Sequence, residues 1–294
     1  MPPADILAQK EAPPLAVRIV TDSTSDIPAP LAAELGISVV PLSVIFGDEV
    51  FKEGIEITHD LFYDKLVRSK VMPTTSAPSV GDFLSVYEPL LKETDEIVSI
   101  HISSKLSATY NNACQAAKQL ADQGARIEVI DSLSVSFGLS FIAQAAARAA
   151  SAGAGVEEIR AIADRMIPRL RIFVVLDTLE YVRRGGRIGR ARAFLGAVLK
   201  VKPILSFQEG EVHPEERVRT KALALERLLQ IATSYRIKQV GIGYSTNPQD
   251  ADDLKHRLEA MVPGVDIQIV RLGPVLGVHG GPGTLGIGVL EGED

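Results

Sequence analysis

Short apolar runs that stop at a polar, hydroxyl-bearing turn and then give way to an amphipathic stretch set the pattern of the first half of this chain. Val17-Arg18-Ile19-Val20 leads into Thr21-Asp22-Ser23-Thr24-Ser25-Asp26, and the run 97–102 leads into Ser103-Ser104-Lys105-Leu106-Ser107. Runs this short and rich in Val and Ile are strands, whereas 107–120 and 137–150 repeat with the period of a helix. Parallel neighbours need a crossover, so this alternation predicts a parallel sheet covered by helices. Further strands are expected at 127–130 and at 37–46, the latter broken by Pro41. The helix at 137–150 carries Ala143, Ala145, Ala146, Ala147, Ala149 and Ala150, a thin surface that another layer can approach closely.

Ser151-Ala152-Gly153-Ala154-Gly155 stops that helix and marks a domain boundary. Beyond it, strands are expected at 171–176, 201–207, 212–218, 240–244 and 265–270, with helices at 221–234 and 250–261. Gln208-Glu209-Gly210-Glu211 reads as a hairpin turn. The expected fold class is therefore α/β: an N-terminal parallel-sheet α/β domain at 16–155 plus a C-terminal α+β domain at 156–294. Residues 1–16 hold four prolines and lack the basic start and apolar run of a signal peptide, so 1–15 read as a disordered leader. Residues 272–290 lack any Asp, Glu, Lys or Arg, but seven glycines and two prolines suit a buried, loop-rich segment better than a lipid-facing helix.

Composition excludes several classes. With 294 residues, 46% hydrophobic, the chain can bury a full core without staples. One cysteine, Cys114, forbids an intramolecular disulfide or a cysteine-rich zinc site and fits a reducing cytoplasm. A net charge of −6 and no Trp argue against a nucleic-acid partner. No G-x-S-x-G elbow, P-loop or H-E-x-x-H pair occurs, and the five histidines have no metal-ligand spacing. Gly281-x-Gly283-x-x-Gly286 matches a dinucleotide fingerprint only formally, because eight residues follow it and no helix and second strand can. Asp22 after a strand is not a phosphatase nucleophile pattern either, since Thr24 stands where a second carboxylate is wanted.

What remains is hydroxyls. The turns at 22–26, Pro73-Thr74-Thr75-Ser76-Ala77-Pro78-Ser79 and 103–110 are hydroxyl-rich, and the first and third follow strands. Each Ser or Thr there reads alone as a helix cap. Together, at the carboxyl edge of a parallel sheet and beside a helix start near Ser107, they favour an oxygen-bearing, anionic small molecule. His279, in a glycine-rich apolar loop, reads equally as a structural residue or a ligand-facing one. Residues 183–192 hold five arginines, a solvated face or a docking surface for something anionic. On the residues alone a small-molecule carrier competes with two rivals. One is a serine hydrolase acting on acyl esters, with Ser107 or Ser104 as nucleophile and His279 as base. The other is a regulator binding nucleic acid through the arginines.

The blocks Thr21-Asp22-Ser23-Thr24-Ser25-Asp26-Ile27-Pro28, 73–79, Ile102-Ser103-Ser104-Lys105-Leu106-Ser107-Ala108-Thr109-Tyr110, Thr178-Leu179-Glu180-Tyr181 with Gly185-Gly186-Arg187-Ile188, and Gly277-Val278-His279-Gly280-Gly281-Pro282-Gly283 together resemble the DegV family, the bacterial fatty-acid-binding proteins called FakB. Each block is weak alone; in this order, spanning nearly all the chain, they are specific. The resemblance implies a long-chain fatty acid, such as palmitate, stearate or oleate, held between the two domains, with no other cofactor and no metal. It implies that the carboxylate meets Thr75, Ser107 and His279, with Ser23, Thr24, Ser76 and Gly280 as secondary pocket or loop positions. It further implies a partner, a dihydroxyacetone-kinase-like fatty acid kinase that phosphorylates the bound acid for phospholipid synthesis. Arg183, Arg184, Arg187 and Arg190 are the candidate docking positions. A cytoplasmic monomer, with transient contact at a membrane surface, is expected. Ala108 stands where the family usually has glycine, and Ala77 where it commonly has glutamine.

Overall fold

The computed structural model describes residues 17–195 and 201–293; the leader expected over 1–15 lies outside them. Chain order begins with β1 (Arg18–Asp22), α1 (Ala29–Glu34), β2 (Ile37–Val40), β3 (Ser43–Phe46), β4 (Glu49–Lys52), α2 (His59–Arg68), β5 (Thr74–Ser76) and α3 (Val80–Leu90). It continues with β6 (Glu96–His101), α4 (Thr109–Ala121), β7 (Arg126–Asp131), α5 (Phe137–Ser151) and α6 (Val156–Met166). The branched residues of β1, β2, β6 and β7 build a wholly parallel sheet in the order β2-β1-β6-β7. One face packs on α5 and α6 through Ile142, Ala146 and Ile159; the other packs on α3 and α4 through Phe83, Tyr87 and Leu120. The two-sided burial explains why these strands read as unbroken apolar runs.

Pro41 does more than interrupt the run at 37–46. The two halves enter different sheets: β2 pairs with β1, whereas β3 joins β4 and β5 in a small antiparallel sheet. Two helices around this sheet carry side-chain caps. Thr58 accepts from the Leu61 N–H at the start of α2, and Ser79 forms a reciprocal capping box with Asp82 at the start of α3.

The alanine-rich helix α5 is approached closely, as its thin surface predicts: α6 lies along it, and Ala143, Ala146, Ala147 and Ala150 are buried in the shared core. Because α6 also contacts β6 and β7, the break expected at 151–155 falls inside the first packed unit. By packing, we place the division at the turn Ile167–Arg169.

The second unit follows with β8 (Leu170–Val175), α7 (Glu180–Arg184), β9 (Lys202–Gln208), β10 (Glu211–Val218), α8 (Lys221–Thr233), β11 (Ile237–Tyr244), α9 (Pro248–Met261), β12 (Asp266–Arg271), α10 (Pro274–Gly280) and β13 (Leu285–Glu291). Its six strands run β10-β9-β8-β13-β11-β12, antiparallel except for β11 with β12. Helices α8 and α9 cover one face through Leu228, Leu229, Leu254 and Leu258. The segment 272–290 is buried as expected but is not loop-rich: it supplies α10 and the strand between β8 and β11.

The glycines of that strand meet the first unit. Gly241 pairs with Gly288 and Gly243 with Gly286 across β11 and β13. The Phe137 ring, at the start of α5, lies in this patch. A Cβ at Gly241, Gly243 or Gly288 would fall 2.6, 2.5 or 2.8 Å from the ring.

Candidate functional site

Strands β1 and β6 are parallel neighbours, so the turns after them leave the same sheet edge. The first turn is consumed by structure. Asp22, fully buried, accepts from the Thr24 N–H at 3.0 Å through one oxygen; the other accepts from the Ile102 N–H and meets His101 Nδ1, each at 3.0 Å. His101 Nε2 lies 2.6 Å from Ser99 Oγ, which accepts from the Tyr87 hydroxyl at 2.7 Å. This buried chain ties the carboxyl ends of the two strands together and leaves no free acid for catalysis. Ser23 Oγ accepts from the Leu42 N–H at 3.0 Å, and the Thr24 hydroxyl donates to Asp22. Ser23 and Thr24, the secondary pocket candidates, therefore close a turn and do not line the cavity described next.

A cavity of about 450 Å3 lies between the edge of the parallel sheet, the small sheet, α10 and the uncovered face of the second sheet. Its walls are mostly apolar, with Leu42, Val135, Phe137, Leu205 and Val275 among them. Thr75 from β5, Ser107 ahead of α4 and His279 from α10 all line it, as do Ser76, Ala77, Ala108 and Gly280. The topology thus brings together three residues spread over two hundred positions of chain. Its size and apolar lining with a few convergent polar groups are those of a small-molecule site.

Thr75 Oγ1 sits 3.0 Å from His279 Nε2. Burial, with the Arg187 charge adding to it, pushes the imidazole down to about 4, so it is neutral at pH 7. Nδ1 is buried with no partner among the described residues, and the Gly185 backbone lies against it. An orphaned buried nitrogen costs about 1–3 kcal/mol, a cost that a functional site retains. Ser107 Oγ bonds Thr109 Oγ1 at 2.8 Å and accepts from the Thr109 N–H at 3.3 Å. It acts as a local cap while facing the cavity, so the two readings of this hydroxyl are not exclusive. Ala108 precedes α4 without a side-chain cap.

The hydrolase geometry is not assembled. Ser107 bonds Thr109 rather than His279, Ser104 lies outside this cavity, and no carboxylate orients His279 Nδ1 among the described residues. Nor do the described residues contain a His, Cys, Asp and Glu cluster able to hold a metal ion. No helix among them is long and apolar enough to cross a membrane.

The arginine run divides in two. Arg183 and Arg184 both pair with Glu180, the former at 2.8 Å, and Arg190 lies 3.5 Å from Glu211, so much of the charge is locally matched. Arg187 instead donates to the backbone carbonyls of Leu106 and Gly185 at 3.1 and 2.8 Å. It lines the main cavity and also an adjoining one of about 420 Å3 that holds Ser104, Lys105 and Ser107. The sequence places Arg187 only in a surface run. The signal for its second position is Gly185, whose missing side chain lets this loop close over His279, followed by Gly186 at a positive φ of 73°. Asn112 is also missed: it lines the cavity one helical turn into α4 and donates to the Pro78 carbonyl at 2.7 Å.

Solved proteins share this fold of a parallel α/β unit followed by a mixed sheet. A fatty-acid-binding DegV family protein from Thermus thermophilus matches it with a TM-score of 0.87 and 34% identity, covering 94% of this chain and 99% of that one. A stearic-acid-binding protein from Eubacterium ventriosum matches with a TM-score of 0.87 and 27% identity, covering 94% and 98%. A DegV domain-containing protein of Halalkalibacterium halodurans is 36% identical over 282 residues, 92% of this chain and 97% of its own length. Residues 16–292 match the family model described as "Uncharacterised protein, DegV family". The chain belongs to the DegV family.

Proposed function

We propose that this chain is a carrier that binds one long-chain fatty acid in the 450 Å3 cavity and catalyses nothing itself. The observation that carries this reading is the apolar cavity on which Thr75, Ser107 and a neutral His279 converge. Fifteen or so buried acyl carbons at ~0.8 kcal/mol each give on the order of 12 kcal/mol before binding costs, so the tail supplies affinity. The head group then needs only orientation. Hydroxyls and an imidazole hold a carboxylate without the tight bidentate bridge an arginine would make. Ser76 and Gly280 shape the wall beside them, and Arg187 adds a cation at the rim.

An acid held in this way keeps an oxygen free to attack a phosphoryl group. The carrier is accordingly read as the partner of a separate fatty acid kinase that forms the acyl phosphate for phospholipid synthesis. Arg183, Arg184, Arg187 and Arg190 form the docking face, and the carrier acts as a cytoplasmic monomer that meets membranes only transiently. The test is native mass spectrometry of the purified protein, followed by solvent extraction of any released lipid. A fatty acid near one per chain supports the carrier. An empty protein that also refuses added palmitate and oleate overturns it.

A further inference from the structure

The far wall of the main cavity is only one side chain thick. A second cavity, of about 620 Å3, lies behind it, with Leu133, Ile167 and Leu170 on its apolar side and Arg171, Gln208 and Glu215 on its polar side. Ile172, Phe173 and Phe207 line both cavities. Ile172 and Phe207 face each other across β8 and β9 as a cross-strand pair, and such pairs pack side chain on side chain. Ile172 is supported from behind by the bare backbone of Gly138, where a Cβ would fall 2.9 Å from Ile172 Cδ1. Phe173 points to the other face, stacking on Tyr235 with ring centroids 6.2 Å apart. The partition is therefore Ile172 with Phe207.

Its position along the sheet gives it a meaning. Leu285 pairs with Val175, so the end of β8 lies beside the chain that carries His279 and Thr284. Ile172 lies three residues before Val175, about 10 Å down the strand at ~3.3 Å per residue. The 420 Å3 cavity adjoins the main one through Ser107 and Arg187, whereas the second cavity adjoins it through none of those residues. An acyl chain whose carboxylate rests on His279 and Ser107 and whose tail follows β8 meets the Ile172–Phe207 pair end-on.

We infer that Ile172 and Phe207 form the floor that sets the longest acyl chain the cavity accepts, with the cavity behind them as the space a longer tail would enter. This rests on the carrier reading above. Side chains in a packed wall resist displacement, so a methylene too many is felt as strain, whereas an opened wall lets each added methylene be buried. The experiment compares affinities for palmitate, stearate, arachidate and behenate in the wild type, Phe207→Ala, Phe207→Leu, Ile172→Ala and Phe207→Trp. Circular dichroism melts confirm that each variant is folded. Opening the floor is expected to raise the arachidate-to-palmitate affinity ratio by about a hundredfold or more, as four extra buried methylenes require. Phe207→Leu should give a smaller rise and Phe207→Trp a fall. A ratio unchanged in folded Phe207→Leu and Ile172→Ala, with palmitate still bound, overturns the floor while the carrier reading stands. A wild type that binds none of the four acids overturns the carrier reading itself.

Discussion

In the carrier reading, the His279 imidazole and the Thr75 and Ser107 hydroxyls would hold the head group, and each can be tested alone. Thr75→Val keeps the shape of the side chain and removes its hydrogen bond, as Ser107→Ala does with a smaller change in volume. Hydrogen bonds to a charged group are worth about 1.5–3 kcal/mol, so each variant is expected to weaken palmitate binding roughly tenfold to a hundredfold by titration calorimetry. His279→Ala should lose at least as much, and all three should lower acyl-phosphate formation by the kinase proposed as partner. Losses below about twofold in all of them would place the carboxylate elsewhere. The imidazole gives an independent reading. With its native value pushed down to about 4, His279 refuses a proton that the unfolded chain takes up near 6.5. Its contribution to stability is therefore intact above that range and declines as pH falls through it. In the ligand-free protein its nitrogen resonances should stay those of a neutral ring from about pH 6 to 8. A midpoint near 6.5 would mean that the ring is solvated.

Helix α10, which presents His279, rests on two acids. Asp26 Oδ1 accepts from the Gly273 N–H at 2.9 Å, and Glu53 Oε1 accepts from the Val275 N–H at 2.8 Å. Burial pushes Asp26 up to about 7 and Glu53 up to about 8, each raised further by neighbouring carboxylates. Between the ordinary carboxylate range and these values the native state holds protons that the unfolded chain has lost. These two groups therefore make stability fall as pH rises through that window. Glu53→Gln keeps an acceptor for Val275 and removes the charge. Its urea midpoint is expected to gain on the wild type's between about pH 5 and pH 8, by a few kcal/mol in free energy. A difference independent of pH would show that Glu53 is ionised throughout.

None of this clamp was visible in the sequence, because Asp26 and Glu53 reach a helix more than two hundred residues away. The α/β half was legible because strands buried on both faces must be apolar throughout, and the hydroxyl turns because they close those strands. Thr75, Ser107 and His279 were placed by their resemblance to family blocks. The small sheet was not legible, since β5 is Thr74-Thr75-Ser76 and has no apolar period to read. Nor was β13: its Gly286 and Gly288 look like loop residues until the Phe137 ring is seen to need the space at Gly288.

That ring is the point at which the molecule becomes one object. Phe137 belongs to the first unit, lies in a glycine patch of the second, and also lines the main cavity. The contact between units and the shape of the binding site are thus the same contact. A methyl group at position 288 would sit 2.8 Å from the ring, closer than packed carbons tolerate, so the ring or the sheet must move. Gly288→Ala is expected to cost about 1–3 kcal/mol, the range for overpacking a filled core. Phe137→Ala is expected to cost about 3–5 kcal/mol, the range for emptying one. If the two residues oppose each other directly, the double variant costs less than the sum, because the added methyl occupies space the ring has left. Urea denaturation of the wild type, both single variants and the double variant measures this coupling. Additive costs would show that Gly288 is glycine for a reason other than the ring. A favourable coupling with a reduced affinity for palmitate in Gly288→Ala would show that the seam between the two sheets also sets the shape of the site.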